Sequence, residues 1–359
     1  MTGMTQDAAR RRIQALSARG RSLLGVEHAI LGGAMTWVSE RSLVAAISNA
    51  GGFGVLACGS MTPDLLRAEI RATQARTAKP FGVNLIVMHS ALMDLIEVCG
   101  EEKVGCVVLA GGIPPRLAMR RVKALDATLI AFAPALGLAR KLVRDGVDGL
   151  IIEGAEAGGH IGSVSTSVLA QEILPNVPEV PVFVAGGIGR GEAMLAYLEM
   201  GASGCQLGTK FVCATESIAH PAFKQAFIRG AARDAMPSVQ VDPRFPVIPV
   251  RALQNEGQKR FIEAQHAVIA RWRAGEVDQK AAQLEIEHFW AGALRRAVID
   301  GDVETGSLMA GQSVGLVDGE QPTAQIIETL LDQAAAALIQ RDGASAMDIA
   351  GDLGMTGGA

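Results

Sequence analysis

Apolar residues along this chain gather in short continuous runs, most of them bounded by glycine or proline, with longer mixed stretches between them. Eight runs can be read: "HAILGGAM" from His28, "GFGVLACG" from Gly52, "FGVNLIVM" from Phe81, "GCVVLAGG" from Gly105, "ATLIAFAP" from Ala127, "DGLIIEGAEAGG" from Asp148, "EVPVFVAGGIG" from Glu179 and "GASGCQLGTKF" from Gly201. A strand with one wet face would alternate apolar and polar residues. These runs do not, so they predict parallel strands covered on both faces.

The stretches between them carry helical spacing and helical punctuation. "SERSLVAAISNAGG" has apolar positions at Leu43, Val44, Ile47 and Ala50, with Ser39 expected as the N-cap and glycine as the stop. "TPDLLRAEIRATQAR" places Thr62 as the cap, Pro63 at the first helical position and Asp64 in the first turn. Eight strand–helix units in roughly 230 residues match a TIM (β/α)8 barrel in count and length. An open doubly wound sheet is the competing α/β fold, but it usually has fewer strands and carries its phosphate turn after the first. Here the glycine-rich turns follow the sixth, seventh and eighth runs, which favours the barrel.

Residues 1–25 are arginine-rich without the apolar core of a signal peptide, and predict a leader helix. The barrel is expected over 26–232 and 300–340. Between these parts lie the proline-punctuated "MPSVQVDPRFPVIPVRALQN" and two helical stretches, 254–273 and 277–299, which predict a helical lid over 233–299. The glycine-rich "GDVETGSLMAGQSVGLV" then returns to the barrel, "TAQIIETLLDQAAAALIQ" forms a last amphipathic helix, and 341–359 reads as a frayed tail.

Composition narrows the chemistry. The 359 residues are 49% hydrophobic, enough for a large core, and the net charge of -4 comes without a broad basic excess, which argues against nucleic acid as a partner. Mean hydropathy is +0.27, yet no apolar stretch reaches the length of a membrane span, so no membrane partner is expected. The five cysteines are scattered and form no CxxC, which predicts neither a disulfide framework nor a zinc site and makes the cytoplasm the expected location. No His/Cys/Asp cluster has metal-ligand spacing, and neither a GxSxG elbow nor a Walker loop is present. A homodimer is allowed but not specified.

In a TIM barrel the C-terminal ends of the strands carry the chemistry. "AGGIGRGEA" and "QLGTKF" put Gly186, Gly187, Gly208 and Thr209 at two neighbouring strand ends, where amide N–H groups and a hydroxyl can cradle a phosphate. In "IIEGAEAGGHIG", Gly158 and Gly159 would let the backbone come close to a flat ligand, with His160 projecting over it. An imidazole titrating near pH ~6.5 can take or give a proton, so His160 is the candidate catalytic residue. His89 lies near the mouth as a weaker candidate for substrate contact, His28 belongs at the barrel bottom in a structural role, and His220 before Pro221 suits a helix cap. A phosphate-binding aldolase or isomerase is a second enzyme class open at this point, and Lys210 is the lysine near a strand end that it would need.

Taken in order, "GAMTWVSERSLVAAISNAGGFGVL", "KPFGVNLIV", "IIEGAEAGGHIG", "VPVFVAGGI", "GASGCQLGTKF", "ESIAHPAFK" and "GDVETGSLMAGQSVGLV" resemble the nitronate monooxygenases, formerly 2-nitropropane dioxygenases, a group that includes FMN-dependent enoyl-[acyl-carrier-protein] reductases. The resemblance covers roughly residues 26–335. It implies a barrel holding FMN non-covalently, with Ala34 and Met35 along the isoalloxazine and Asn84 hydrogen-bonded to the flavin. Glu153 and Gly158 fall at flavin-contact positions, with Gly159 beside them. Gly186, Gly187, Gly208 and Thr209 would bind the phosphate, with Gln206 and Leu207 alongside. His160 falls on the active-site histidine, the base toward a neutral nitroalkane. The implied reaction is oxidation of alkyl nitronates with O2, and the alternative is NAD(P)H-dependent reduction of an enoyl thioester. Some features depart from these patterns: "LGGAM" lacks the glutamine the first strand often carries, Glu153 stands where many monooxygenases have Gln, "AEAGGHIG" and "EAQHAV" are similar to the reductases, and "AGGIPP" replaces the reductases' usual Gly-Asn-Pro.

Overall fold

The computed structural model describes residues 4–354, with side chains described as far as Asp342. Eight parallel strands form one sheet: β1 (Ile30–Gly32), β2 (Gly54–Ala57), β3 (Phe81–Ile86), β4 (Cys106–Ala110), β5 (Thr128–Phe132), β6 (Gly149–Glu153), β8 (Val182–Ala185) and β9 (Gly204–Leu207). The short β7 (Gly159–His160) lies outside it. The order β1-β9-β8-β6-β5-β4-β3-β2 leaves β1 and β2 at the two ends. They meet: Leu31 bridges Phe53, Gly32 N donates to the Phe53 carbonyl and Phe53 N to that of Ile30, both at 2.9 Å. The sheet therefore closes into the TIM barrel that the eight apolar runs predict. Each strand lies within its run but is shorter, because the glycine-rich ends leave the ladder as turns.

Two cores explain why the runs do not alternate. Leu31, Phe53, Val55, Val108, Ile130, Ile151 and Phe183 fill the barrel interior. Residues of the other parity, such as Val83, Leu109, Leu129, Ile152 and Val184, face the helical layer. Each fully buried Leu, Ile or Phe contributes roughly 1.5–3 kcal/mol, so the packed interior is a rigid platform and not a pore. The N-terminal helices Gln6–Leu16 and Ala18–Leu24 close the bottom, where Leu23, Leu24 and Val26 pack on the interior cluster.

Helix caps follow the sequence with one correction. Thr62 Oγ1 accepts the Leu65 N–H as expected, and His220 Nδ1 caps helix Pro221–Arg229 through the Ala222 N–H. Helix Arg41–Asn49, however, is capped by Glu40, whose carboxylate accepts the N–H groups of Ser42 and Leu43. Ser39 is used elsewhere: its hydroxyl donates to the Gly33 carbonyl at 2.8 Å and accepts the Met35 N–H at 3.0 Å, pinning the turn that follows β1.

The lid is not purely helical. Its proline-punctuated segment contains β10 (Ala235–Pro237) and β11 (Val250–Leu253), and β11 pairs antiparallel with both β10 and β7. Helices Glu256–Arg273 and Gln279–His288 follow around a small core of Phe245, Phe261, Ile269 and Ile286. The last helix, Thr323–Gly354, continues through residues 341–354, where the sequence suggests a tail; 355–359 lie outside the described residues.

Candidate active site

Strand order decides which candidate residues meet. β1, β9, β8 and β6 are consecutive neighbours. Their C-terminal turns carry Ala34 and Met35, then Gln206 to Thr209, then Gly186 and Gly187, then Glu153 and the loop to His160. Asn84 on β3 stands on the opposite arc. The register is level: Glu153 faces Ala185, Ala185 faces Gln206 and Gln206 faces Leu31. Glu153 and Gln206 are thus two strand spacings apart, about 10 Å, in one layer.

Alternation directs Asn84, Glu153 and Gln206 inward. Each shares its parity with a residue of the interior: Gly82 against Phe53, Ile151 within the cluster, and Gly204 against Phe183. Asn84 and Gln206 are buried and Glu153 is half-buried. Among the described residues none of these three side chains has a hydrogen-bond partner. Their polar atoms open onto the mouth, so an amide, a carboxyl and a second amide converge there as donors and acceptors for a polar ligand. Burial in the mouth pushes the Glu153 carboxyl up to about 8, so at neutral pH it is largely protonated and can donate as well as accept.

The remaining candidates divide into turn, wall and bystander. Gly186 and Gly187 both have positive φ, +94° and +73°, which ordinary side chains avoid; this bends the chain after β8 and leads into helix Gly191–Glu199. Gly208 caps the short helix beginning at Thr209, and a Cβ placed on it would touch only Met35, at 3.4 Å from sulfur. Leu207 lies on the outward parity, packed in the helical layer, so its side chain faces away from the mouth. Its carbonyl accepts the Gly33 N–H, at 2.8 Å. The bare Cα of Gly158 has a different use from the one its sequence suggests: a Cβ there would lie 2.5 Å from Gly311 N and 2.6 Å from the Ala310 carbonyl carbon. It makes room for the return segment.

His160 ends β7, opposite Val250 of the lid, and Ile161 N donates to the Pro249 carbonyl at 3.0 Å. Its residue is exposed by area, yet enough of the rim surrounds the ring for burial to hold its pKa below the ordinary value. The neutral form, which can accept a proton, is favoured. The ring has no hydrogen-bond partner among the described residues. His89, by contrast, spends Nδ1 on the Ala91 N–H. Lys210 Nζ donates to the Leu316 carbonyl at 2.9 Å and burial lowers its pKa, while burial pushes Cys58, Cys99, Cys205 and Cys213 up to about 12, so no activated thiolate is presented.

One part of the site was not read from the sequence: the wall formed by the return segment and the lid strand. Gln312 N donates to the Glu156 carbonyl at 2.9 Å, and Gly311 N donates to Thr209 Oγ1 at 3.0 Å. Residues 308–312 thus run between the His160 loop and the turn after β9. The paired glycines of "GSLMAGQ" are the available signal, since each permits a close backbone approach.

The family model described as nitronate monooxygenase matches residues 18–102 and 93–333. The chain belongs to the nitronate monooxygenase family. Its solved relatives include FabK from Thermotoga maritima, 37% identical, covering 90% of this chain and 98% of that one with a TM-score of 0.81. A nitroalkane oxidase from Streptomyces ansochromogenes is 26% identical, with a TM-score of 0.71 over 88% of this chain and 98% of that one. Among curated proteins, a hydroxy-methyl-oxo-octahydroindene-carboxyl-CoA dehydrogenase of Mycobacterium tuberculosis is 30% identical over 86% of this chain and 93% of its own length. A probable nitronate monooxygenase of Staphylococcus saprophyticus is 28% identical over 89% and 98%. Membership of this family makes the chain an oxidoreductase-type enzyme. Among the described residues no helix is long and apolar enough to cross a membrane, and no group of His, Cys, Asp and Glu could hold a metal ion.

Proposed function

We propose that this enzyme is an FMN-dependent nitronate monooxygenase, with His160 as the base that takes the acidic C–H proton of a neutral nitroalkane. The observation that carries the reading is the set of three unpartnered polar side chains, Asn84, Glu153 and Gln206, facing one mouth beside an imidazole with no partner of its own. Bound there, FMN would supply the electron acceptance and the reaction with O2. Asn84, Glu153 and Gln206 would offer it hydrogen bonds, Ala34 and Met35 would lie beside it, and the turns at Gly186–Gly187 and Gly208–Thr209 would receive its phosphate. His160, kept neutral, accepts the substrate proton.

A second reading, NAD(P)H-dependent reduction of an enoyl thioester through FMN, is favoured by two observations. One is Glu153 in place of glutamine. The other is the likeness to a FabK and to a dehydrogenase that acts on a CoA thioester. Either way the substrate is a small or thioester-borne carbon compound, and a homodimer and a cytoplasmic setting accompany the proposal. A flavin-free aldolase or isomerase is disfavoured by the family match, which covers residues 18–333.

The test is the visible spectrum of the purified protein, followed by separate anaerobic additions of ethylnitronate and NADH. A yellow protein bleached by ethylnitronate and not by NADH supports the first reading. Rapid bleaching by NADH alone supports the second. A colourless protein that takes up no FMN defeats both.

A further inference from the structure

We propose that Arg251 is the positioning residue for His160, holding the Glu153–His160 loop at the barrel mouth by bridging it to the lid. Arg251 lies on β11 directly opposite Gly159, with Val250 opposite His160. Its side chain is buried, and its guanidinium reaches back in two directions. Nε donates to the Ala155 carbonyl at 2.8 Å and a terminal nitrogen donates to the Ala235 carbonyl of β10 at 2.5 Å. Among the described residues no carboxylate lies within ion-pair distance of it. A buried cation without an ion pair is costly, and a leucine or methionine would fill such a space at lower cost. What the arginine supplies is a planar fork joining two carbonyls on two chain segments, which a lysine's single ammonium reproduces only in part.

The loop has reason to need it. Among the described residues the ring of His160 has no hydrogen-bond partner, so its position is inherited from the backbone. That backbone is held at Ala155 N by the Val164 carbonyl, at the Glu156 carbonyl by Gln312 N, and at β7 by β11. Arg251 ties the Ala155 carbonyl to the same strand that carries the β7 ladder. It therefore makes one unit of the lid edge and the loop, where β7 contributes only two residues.

The role of His160 as base rests on the function proposed above, but its placement by Arg251 does not, and the experiment separates the two. The ring of His160 is followed by NMR as a function of pH in full-length protein carrying 13C-labelled histidine, the signal assigned with His160→Gln. Wild type, Arg251→Met and Arg251→Lys are compared, with melting curves for each. Burial lowers this pKa in the wild type, and Arg251→Lys keeps the charge that Arg251→Met removes. In Arg251→Met the ring should titrate closer to the ordinary value, with Arg251→Lys between. Turnover of a neutral nitroalkane per bound FMN should fall roughly 10- to 100-fold in Arg251→Met, the scale of a small misplacement of a reacting group. An unchanged titration in folded Arg251→Met overturns the proposal, and if that variant does not fold, a wild-type titration in Arg251→Lys does so. A moved titration in an enzyme that never turns over nitroalkanes upholds the positioning role and sinks the monooxygenase reading.

Discussion

Thr209 and Gly311 are 102 residues apart in sequence, yet Gly311 N donates a buried hydrogen bond of 3.0 Å to Thr209 Oγ1. The bond ties the turn after β9 to the return segment, and so joins the side of the mouth proposed to take the phosphate to the wall beside Gly158. Thr209→Val keeps the shape and removes the acceptor, leaving a buried N–H unsatisfied at about 1–3 kcal/mol. Urea denaturation of the FMN-free protein should show a loss of that size, while Thr209→Ser stays near wild type. Equal stability of the valine variant would place the N–H in contact with water.

Gly208 stands next to that bond with room to spare. Its added Cβ would touch only Met35, so Gly208→Ala should leave the fold and FMN occupancy nearly intact. Gly208→Asp adds a carboxylate where the phosphate is proposed to sit, and like charges at close range repel. The aspartate variant should purify with little or no flavin absorbance while melting near wild type before FMN is added. Full occupancy in Gly208→Asp would move the phosphate away from β9.

The barrel was legible because its strands are buried on both faces, and burial leaves a local mark: short continuous apolar runs, most of them bounded by turn residues. Asn84, Glu153 and Gln206 entered through the family resemblance, and their inward direction follows from the strand alternation and register. What was not legible depends on pairing between distant segments. β10 and β11 are short and set among prolines, so nothing local announces a ladder whose partner is β7, some ninety residues earlier. Arg251 reads as one more surface arginine until that ladder buries it. Ser39 is a fair N-cap by residue type, but Glu40 stood one position nearer the helix and the serine was free to hold Gly33 and Met35. Gly158 was assigned to a ligand, whereas its missing Cβ is filled by a chain segment more than a hundred residues away.

Glu153 should make the FMN-free protein sensitive to alkali. Its pKa is raised from the ordinary carboxylate range to about 8, so the folded state holds a proton that the unfolded chain has released. Where the folded state binds more protons, stability falls as pH rises. The decline should begin above the ordinary glutamate pKa near ~4.3 and level off once pH exceeds about 8. Glu153→Gln imitates the neutral acid and should flatten that part of the profile while preserving FMN binding at pH below 7. Identical melting profiles for the two proteins between pH 5 and 9 would mean that Glu153 is ionised and solvated in the mouth.

His160→Ala should separate proton abstraction from the chemistry that follows. With the imidazole gone, a neutral nitroalkane has no base, so its turnover should fall by the roughly 10²–10⁴-fold typical of general-base loss. A preformed nitronate has already lost that proton and should still be oxidised at a rate near wild type. On the proposed function the neutral form of His160 is the active one, and burial holds its pKa below the ordinary value. The kcat/KM for a neutral nitroalkane should therefore rise with pH through a midpoint below ~6.5 and then stay flat. For the nitronate no such limb is expected from this residue. FMN content measured alongside keeps the comparison clean, because equal losses on nitroalkane and nitronate, with flavin lost in step, would make His160 a structural residue of the mouth.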